Sequence, residues 1–254
     1  MKKIIKFMLV IFCLCIVFGK VQAEEVYDTK LIRSYTDPRV SSKSYPKGEK
    51  RLCFLTFDDG PSKNTLKVLD ILKKENVKGT FYVVGRSVSK STAPILKRTL
   101  SEGHSIGIHT FSHDYKYLYP NRIADPNQIL YEYDLTLESL RKYLGKDFDS
   151  KTFRYPGGHM SWKKMEKADE LLKSRGVEWM DWNASVGDAS PKSRRPKTKN
   201  EMLSYLDKTI NANKNNNCIV ILMHDARGKD LTVETLPDII KHLKKYQYEF
   251  GVLK

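Results

Sequence analysis

Two clusters in this chain carry side chains able to hold a divalent metal: Asp58-Asp59-Gly60-Pro61, and His109 with His113. The first closes an apolar run from Leu52 to Phe57, and a strand ending in Asp-Asp-Gly-Pro turns sharply, which leaves both carboxylates at the rim of a sheet. Histidines four apart fall on one face of a helical turn, near enough to share an ion. With a carboxylate they form the mixed nitrogen and oxygen set of a hydrolytic site that keeps positions open for water. Each cluster alone has a plain structural reading: Asp-Asp-Gly-Pro as an ordinary turn, the histidine pair as a helix surface or a satisfied core. The residues themselves do not say which aspartate would bind the metal.

Three further motifs follow in order, each at the end of a strand-like run: Arg154-Tyr155-Pro156-Gly157-Gly158, Trp182 to Asp188, and Leu222-Met223-His224-Asp225. From Arg51 onward, short apolar runs alternate with helical segments, the pattern of strand-helix units around a parallel sheet. Candidate strands are Leu52 to Phe57, Thr80 to Val84, Ser105 to His109, Thr152 to Arg154, Glu178 to Asn183, Ile219 to Met223 and Tyr248 to Leu253. Between them, Leu66, Leu69 and Leu72, or Tyr133, Leu137, Leu140 and Leu144, mark apolar helix faces, the second stopped by Gly145. All the chemical residues then lie after strands, at the C-terminal face where α/β barrels place their sites.

Taken together, the five motifs resemble the polysaccharide deacetylase family, the NodB-homology domain of carbohydrate esterase family 4, over residues 51–254. The resemblance implies an α/β fold, a distorted (β/α)7 barrel in a single domain, which agrees with seven candidate strands. It implies that Asp59, His109 and His113 hold one divalent cation, zinc first, with cobalt, nickel, manganese or iron as alternatives. It makes Asp58 the general base, Arg154 its clamp, His224 the general acid and Asp188 the partner that keeps His224 protonated. Gly157 would offer a backbone N–H to the oxyanion and Leu222 would line the acetyl pocket. Two positions depart from the commoner pattern: Gly157 stands where many relatives have tyrosine, and Ala189 where many have tryptophan. Tyr155, His159, Trp162 or Trp182 would then supply substitute stacking surfaces for sugar.

The implied activity is a secreted, metal-dependent de-N-acetylase of a polysaccharide, with peptidoglycan N-acetylglucosamine as the leading substrate. Chitin oligomers, poly-N-acetylglucosamine, muramic acid and O-acetylated xylan are open to the same machinery. A catalytically inactive sugar-binding member of the fold would be expected to lack a base or ligand, and none is missing. A metal phosphoesterase would call for a denser ligand set around two metals.

The N-terminus has Lys2, Lys3 and Lys6, an apolar stretch from Phe7 to Phe18 and Val21-Gln22-Ala23. This is read as a secretory signal peptide over residues 1–23, cleaved near Ala23, with an uncleaved anchor as the alternative. Cleavage removes four lysines and no acids, so the net charge falls from +15 to +11. A basic exported chain suits anionic wall polymers. Nucleic acid does not fit, because the basic residues are scattered and export separates the protein from it. No stable protein partner is expected. Residues 24–50 show neither helical nor strand period and are read as an N-terminal arm or linker. Cys53 and Cys218 lie in or beside apolar runs and are read as buried free thiols, with a disulfide between them as the alternative.

Overall fold

The computed structural model describes residues 26–41, 43–213 and 216–254, so the signal-peptide reading of residues 1–23 lies outside the described residues. The elements in chain order are β1 (Val26–Tyr27), α1 (Thr29–Thr36), β2 (Arg51–Asp58), α2 (Lys63–Glu75), β3 (Gly79–Val83), α3 (Ala93–Ser101), β4 (Ser105–Ile108) and α4 (Tyr115–Leu118). There follow α5 (Pro126–Leu144), β5 (Thr152–Phe153), α6 (Glu166–Ser174), β6 (Glu178–Trp179), β7 (Ala184–Ser185), α7 (Lys199–Asn211), β8 (Cys218–His224), α8 (Asp230–Lys245), β9 (Tyr248–Phe250) and β10 (Val252–Leu253).

Seven strands run in the order β6-β5-β4-β3-β2-β8-β7, all parallel, and β9 pairs with the start of β2. Parallel strands with both faces covered read as near-continuous apolar runs, as β2 and β8 do. Along β2 and β8 the side chains alternate. Cys53, Leu55, Phe57, Ile219, Ile221 and Met223 face the helices, where they pack with Leu69, Leu72, Leu236 and Ile240. Leu52, Phe54, Cys218 and Val220 face the barrel interior with Tyr82 and Ile32. The same interior face, carried to the strand ends, delivers Thr56 and Asp58 opposite Leu222 and His224. Cys53 and Cys218 therefore lie on opposite faces of the sheet, and both are buried free thiols. Burial pushes the Cys218 thiol up to about 12, so the reactive thiolate is suppressed.

The expected strand Glu178 to Asn183 is broken. Only Glu178–Trp179 pairs on one side, and pairing resumes at Ala184–Ser185 on the other. The carbonyls of Met180 and Asp181 turn instead to the Arg154 guanidinium, at 2.9 and 3.1 Å. The last predicted strand likewise divides at Gly251 into β9 and β10.

The arm read as structureless instead contains β1, parallel to β10, and α1, which packs beside the gap between β6 and β7. Asp28 caps α1 by accepting the Leu31 N–H at 2.7 Å. Arg33 donates to the Trp179 carbonyl and to Glu178, both at 2.6 Å, while Ile32 enters the barrel interior. The buried stripe of α1 is Thr29, Ile32 and Arg33. The helix is only eight residues long and Ile32 is the one aliphatic residue on its buried stripe, too short a pattern to stand out in a polar segment.

Candidate active site

Asp58 ends β2 and Asp59 begins the turn, with a left-handed φ of 72°. The turn folds tightly because Gly60 leaves room beneath it: a Cβ there would stand 2.5 Å from Asp225 Oδ2. Asp225, after β8, is fully buried, accepts a hydrogen bond from Thr65 and donates its backbone N–H to the Asp58 carbonyl at 3.2 Å. Burial pushes its carboxyl up to about 7. This carboxyl under the turn was not singled out by the sequence reading, although it closes the Leu-Met-His-Asp motif.

His109 follows β4, and its Nδ1 lies 2.7 Å from the Arg154 carbonyl, which fixes the ring and aims Nε2 at the aspartates. His113 reaches the same point by a route other than the expected helical turn. Residues 109–114 form a loop, with Thr110 and His113 at φ 61° and 54°. Its organiser is Glu132 of α5, buried, whose carboxylate accepts from the Phe111 and Ser112 N–H groups at 3.1 and 2.9 Å and from the Ser112 hydroxyl at 2.6 Å. Glu132 sits within an ordinary amphipathic helix, and nothing in the sequence distinguishes it from a surface acid.

His113 Nε2 is 3.3 Å and His109 Nε2 3.6 Å from Asp59 Oδ1. One ligand atom from each of the three residues lies within 4.8 Å of the others. Asp59 Oδ1 is buried and accepts no hydrogen bond, an arrangement that is costly unless a cation takes up the lone pairs. Burial holds His113 down to about 4, neutral and able to donate a lone pair. Desolvation opposes ionisation of Asp59, but the combined coulombic pull of His109, His113, His224 and Lys229 as the site charges at low pH outweighs it and lowers its pKa. The donor set fits one divalent cation.

Asp58 lies beside this set with its other oxygen clamped. Arg154 Nη1 donates to Asp58 Oδ1 at 2.8 Å and to the Thr56 hydroxyl at 2.7 Å, and the guanidinium packs over Tyr82 at 4.1 Å. Arg154 is fully buried, so every donor that water would have satisfied must be met by protein. Across the mouth, His224 Nδ1 meets Asp188 Oδ1 at 2.9 Å, while Asp188 Oδ2 accepts from the His224 N–H and the Thr232 hydroxyl, both at 2.9 Å. Burial works against charging His224, yet Asp188 more than compensates, and the imidazole pKa is raised. Leu222, on the same strand face as His224, belongs to neither core layer and borders the mouth. Gly157, at φ 77°, follows Pro156; a Cβ there would come within 3.3 Å of the Tyr115 hydroxyl, and the backbone conformation itself disfavours a side chain.

Tyr155, expected to contact sugar, is corrected. It is fully buried among Phe153 and Trp179, and its hydroxyl donates to Asp169 at 2.8 Å. Alternation would have found this: Arg154 points into the barrel, so Tyr155 must point to the helices. His159 is likewise engaged, stacked on Trp179 at 4.0 Å with Nε2 2.9 Å from Asp169. Trp162 stacks on Tyr119 at 4.0 Å and donates to the Pro156 carbonyl. The aromatic that borders the metal ligands and remains 44% exposed is Tyr115, 5.3 Å from His113 between ring centres. The sequence reading passed over it.

A parallel barrel with an Asp-His-His set able to take a cation, a clamped second aspartate and an Asp-His pair on one rim has the parts of a hydrolase site. The family model described as polysaccharide deacetylase matches residues 43–176, and the chain belongs to that family. A solved Streptococcus mutans CE4 esterase superposes with a TM-score of 0.84 at 42% identity, covering 91% of this chain and 92% of that one. The peptidoglycan-N-acetylmuramic acid deacetylase PdaA of Bacillus subtilis is 32% identical over 203 residues, 80% of this chain and 70% of the relative. A bifunctional xylanase/deacetylase of Pseudobutyrivibrio xylanivorans is 32% identical over 200 residues, 79% of this chain but only 29% of the relative's length.

Proposed function

We propose that this protein is an exported, metal-dependent de-N-acetylase of cell-wall glycan, with the N-acetylglucosamine of peptidoglycan as its substrate. The observation that carries the reading is the unpartnered, buried Asp59 oxygen facing two imidazoles, next to a second aspartate held by a buried arginine. The relative PdaA, named as a peptidoglycan deacetylase, supports the glycan class, and the N-terminal basic and apolar segment supports export.

Asp59, His109 and His113 would hold the cation, zinc by first preference. When bound, such a cation polarises the acetyl carbonyl and lowers the pKa of water. Asp58 takes the proton of the attacking water, because Arg154 occupies its Oδ1 and leaves Oδ2 as the acceptor. The Gly157 N–H meets the developing oxyanion. His224, charged through Asp188, gives its proton to the leaving amine. Leu222 shapes the space for the acetyl methyl.

The test is acetate release from purified peptidoglycan, chitooligosaccharides and acetylxylan side by side, with chelator-treated and metal-restored protein. Release from peptidoglycan that vanishes with chelator and returns with zinc is expected. Release from acetylxylan alone would sink the substrate assignment, and chelator-insensitive release would sink the metal assignment.

A further inference from the structure

Between Asp188 and α7 the chain runs through Lys192, Arg194, Arg195 and Lys197, all exposed, and this segment with α7 walls a groove of about 570 Å³. Arg194, Arg195, Lys197 and Lys208 line it. Six of the ten other described arginines, Arg33, Arg39, Arg98, Arg141, Arg154 and Arg175, each pair with a carboxylate, while Arg51 and Arg122 donate to backbone carbonyls. The four groove cations make no ion pair among the described residues. The acid among the lining residues, Glu201, is engaged by the Lys197 backbone N–H at 2.7 Å.

The groove is built from the same loop as the catalytic rim. Arg195 Nε donates to the Ser190 carbonyl at 3.0 Å, and Ser190 Oγ lies 3.2 Å from the Tyr205 hydroxyl. The Tyr205 ring packs under Gly187, where a Cβ would stand 2.9 Å from it, beside Asp188. Pro191 and Pro196 bracket the turn, and the Arg194 N–H closes it on the Pro191 carbonyl at 2.8 Å. The loop that carries Arg194, Arg195 and Lys197 is thus tied by hydrogen bonds and packing to the residues beside Asp188, and α7 adds Lys208.

We infer that this groove is a second binding subsite, for carboxylates carried on the same glycan strand whose acetamide enters the mouth. The inference rests on the proposed peptidoglycan reading: such strands bear peptide stems with free carboxylates on alternate sugars, whereas chitin oligomers are neutral. A guanidinium fork is suited to bind a carboxylate through two parallel hydrogen bonds. The groove would select stem-bearing strands over neutral ones and fix their direction across the barrel.

The test uses the full chain and an Arg194→Gln/Lys208→Gln variant, which spares the Arg195 hold on Ser190. Binding by fluorescence anisotropy and deacetylation kinetics are measured on stem-bearing glycan strands, on the same strands with amidated carboxylates, and on a neutral N-acetylglucosamine pentamer. The variant should bind stem-bearing strands about tenfold more weakly, through KM and with a flatter salt dependence. It should match the parent on the pentamer and on amidated strands. Arg194→Lys should recover part of the loss. Equal binding of stem-bearing strands by parent and variant overturns the inference. So does a groove-dependent preference for poly(glycerol phosphate) over stem-bearing strands, which would assign the groove to a phosphate polymer. Because binding is read apart from turnover, absence of acetate release would defeat the proposed activity and leave the groove's ligand still decided by anisotropy.

Discussion

Asp58 and Asp59 are neighbours in sequence with opposite tasks, and the division follows from who occupies their oxygens. Arg154 takes Oδ1 of Asp58, whereas Oδ1 of Asp59 accepts nothing from protein. Asp58→Asn should therefore keep the metal and lose about 10²–10⁴ in turnover; metal analysis beside initial rates checks this, and a metal-free variant would exchange the two roles. His113→Ala should lose both metal and activity, because two remaining protein ligands make too incomplete a set; full metal occupancy would remove His113 from the site. The pairing at His224 gives a pH prediction with a definite sign. The raised imidazole pKa means the charged acid is present at low pH and is lost as pH rises through that raised value. In Asp188→Asn burial, which favours the neutral ring, is opposed only by the smaller pull of Asp58 and Asp59. The alkaline limb of kcat/KM should move to lower pH with metal content unchanged, and an unmoved limb would mean another group supplies the proton.

At the scale of elements, the site depends on two that do not touch substrate. Helix α5 contributes Glu132, whose carboxylate takes three donors from the loop that presents His113. Glu132→Gln puts an amide NH₂ where one of those acceptors stood and should weaken metal affinity by about 10- to 100-fold, as partners of ligand-bearing segments do. Competition with a chromogenic chelator measures it, and an unchanged affinity would show that the loop holds its shape unaided. Helix α1 covers the side where the sheet stays open between β6 and β7. Ile32 is 1% exposed, so Ile32→Ala should cost about 2–5 kcal/mol in denaturant unfolding. A loose arm would cost nearly nothing.

For the whole molecule, the barrel was legible where parallel strands are long and apolar, as in β2 and β8, and where motifs end strands, as at Asp58, Arg154 and His224. It was illegible where side chains take over the backbone's hydrogen bonding. Arg154 diverts the carbonyls of Met180 and Asp181 and so interrupts a run that reads as one strand. The spacing of His109 and His113 was read as a helical turn, yet left-handed residues and a distant glutamate bring the rings together, and neither leaves a local pattern. The pairing of β1 with β10 reaches further than the sheet it makes. Lys254 donates to the Tyr27 carbonyl at 2.9 Å, while Leu253 meets the opening residues of β3 and β4 through Thr80 and Ser105. Both described ends of the chain thus meet at the foot of the barrel, with the metal ligands at its crown. Coupling the protein to a bead or sensor surface through Lys254 would leave the crown facing outward, and a short peptide bridging Val26 to Lys254 would permit new termini to be opened in an exposed loop.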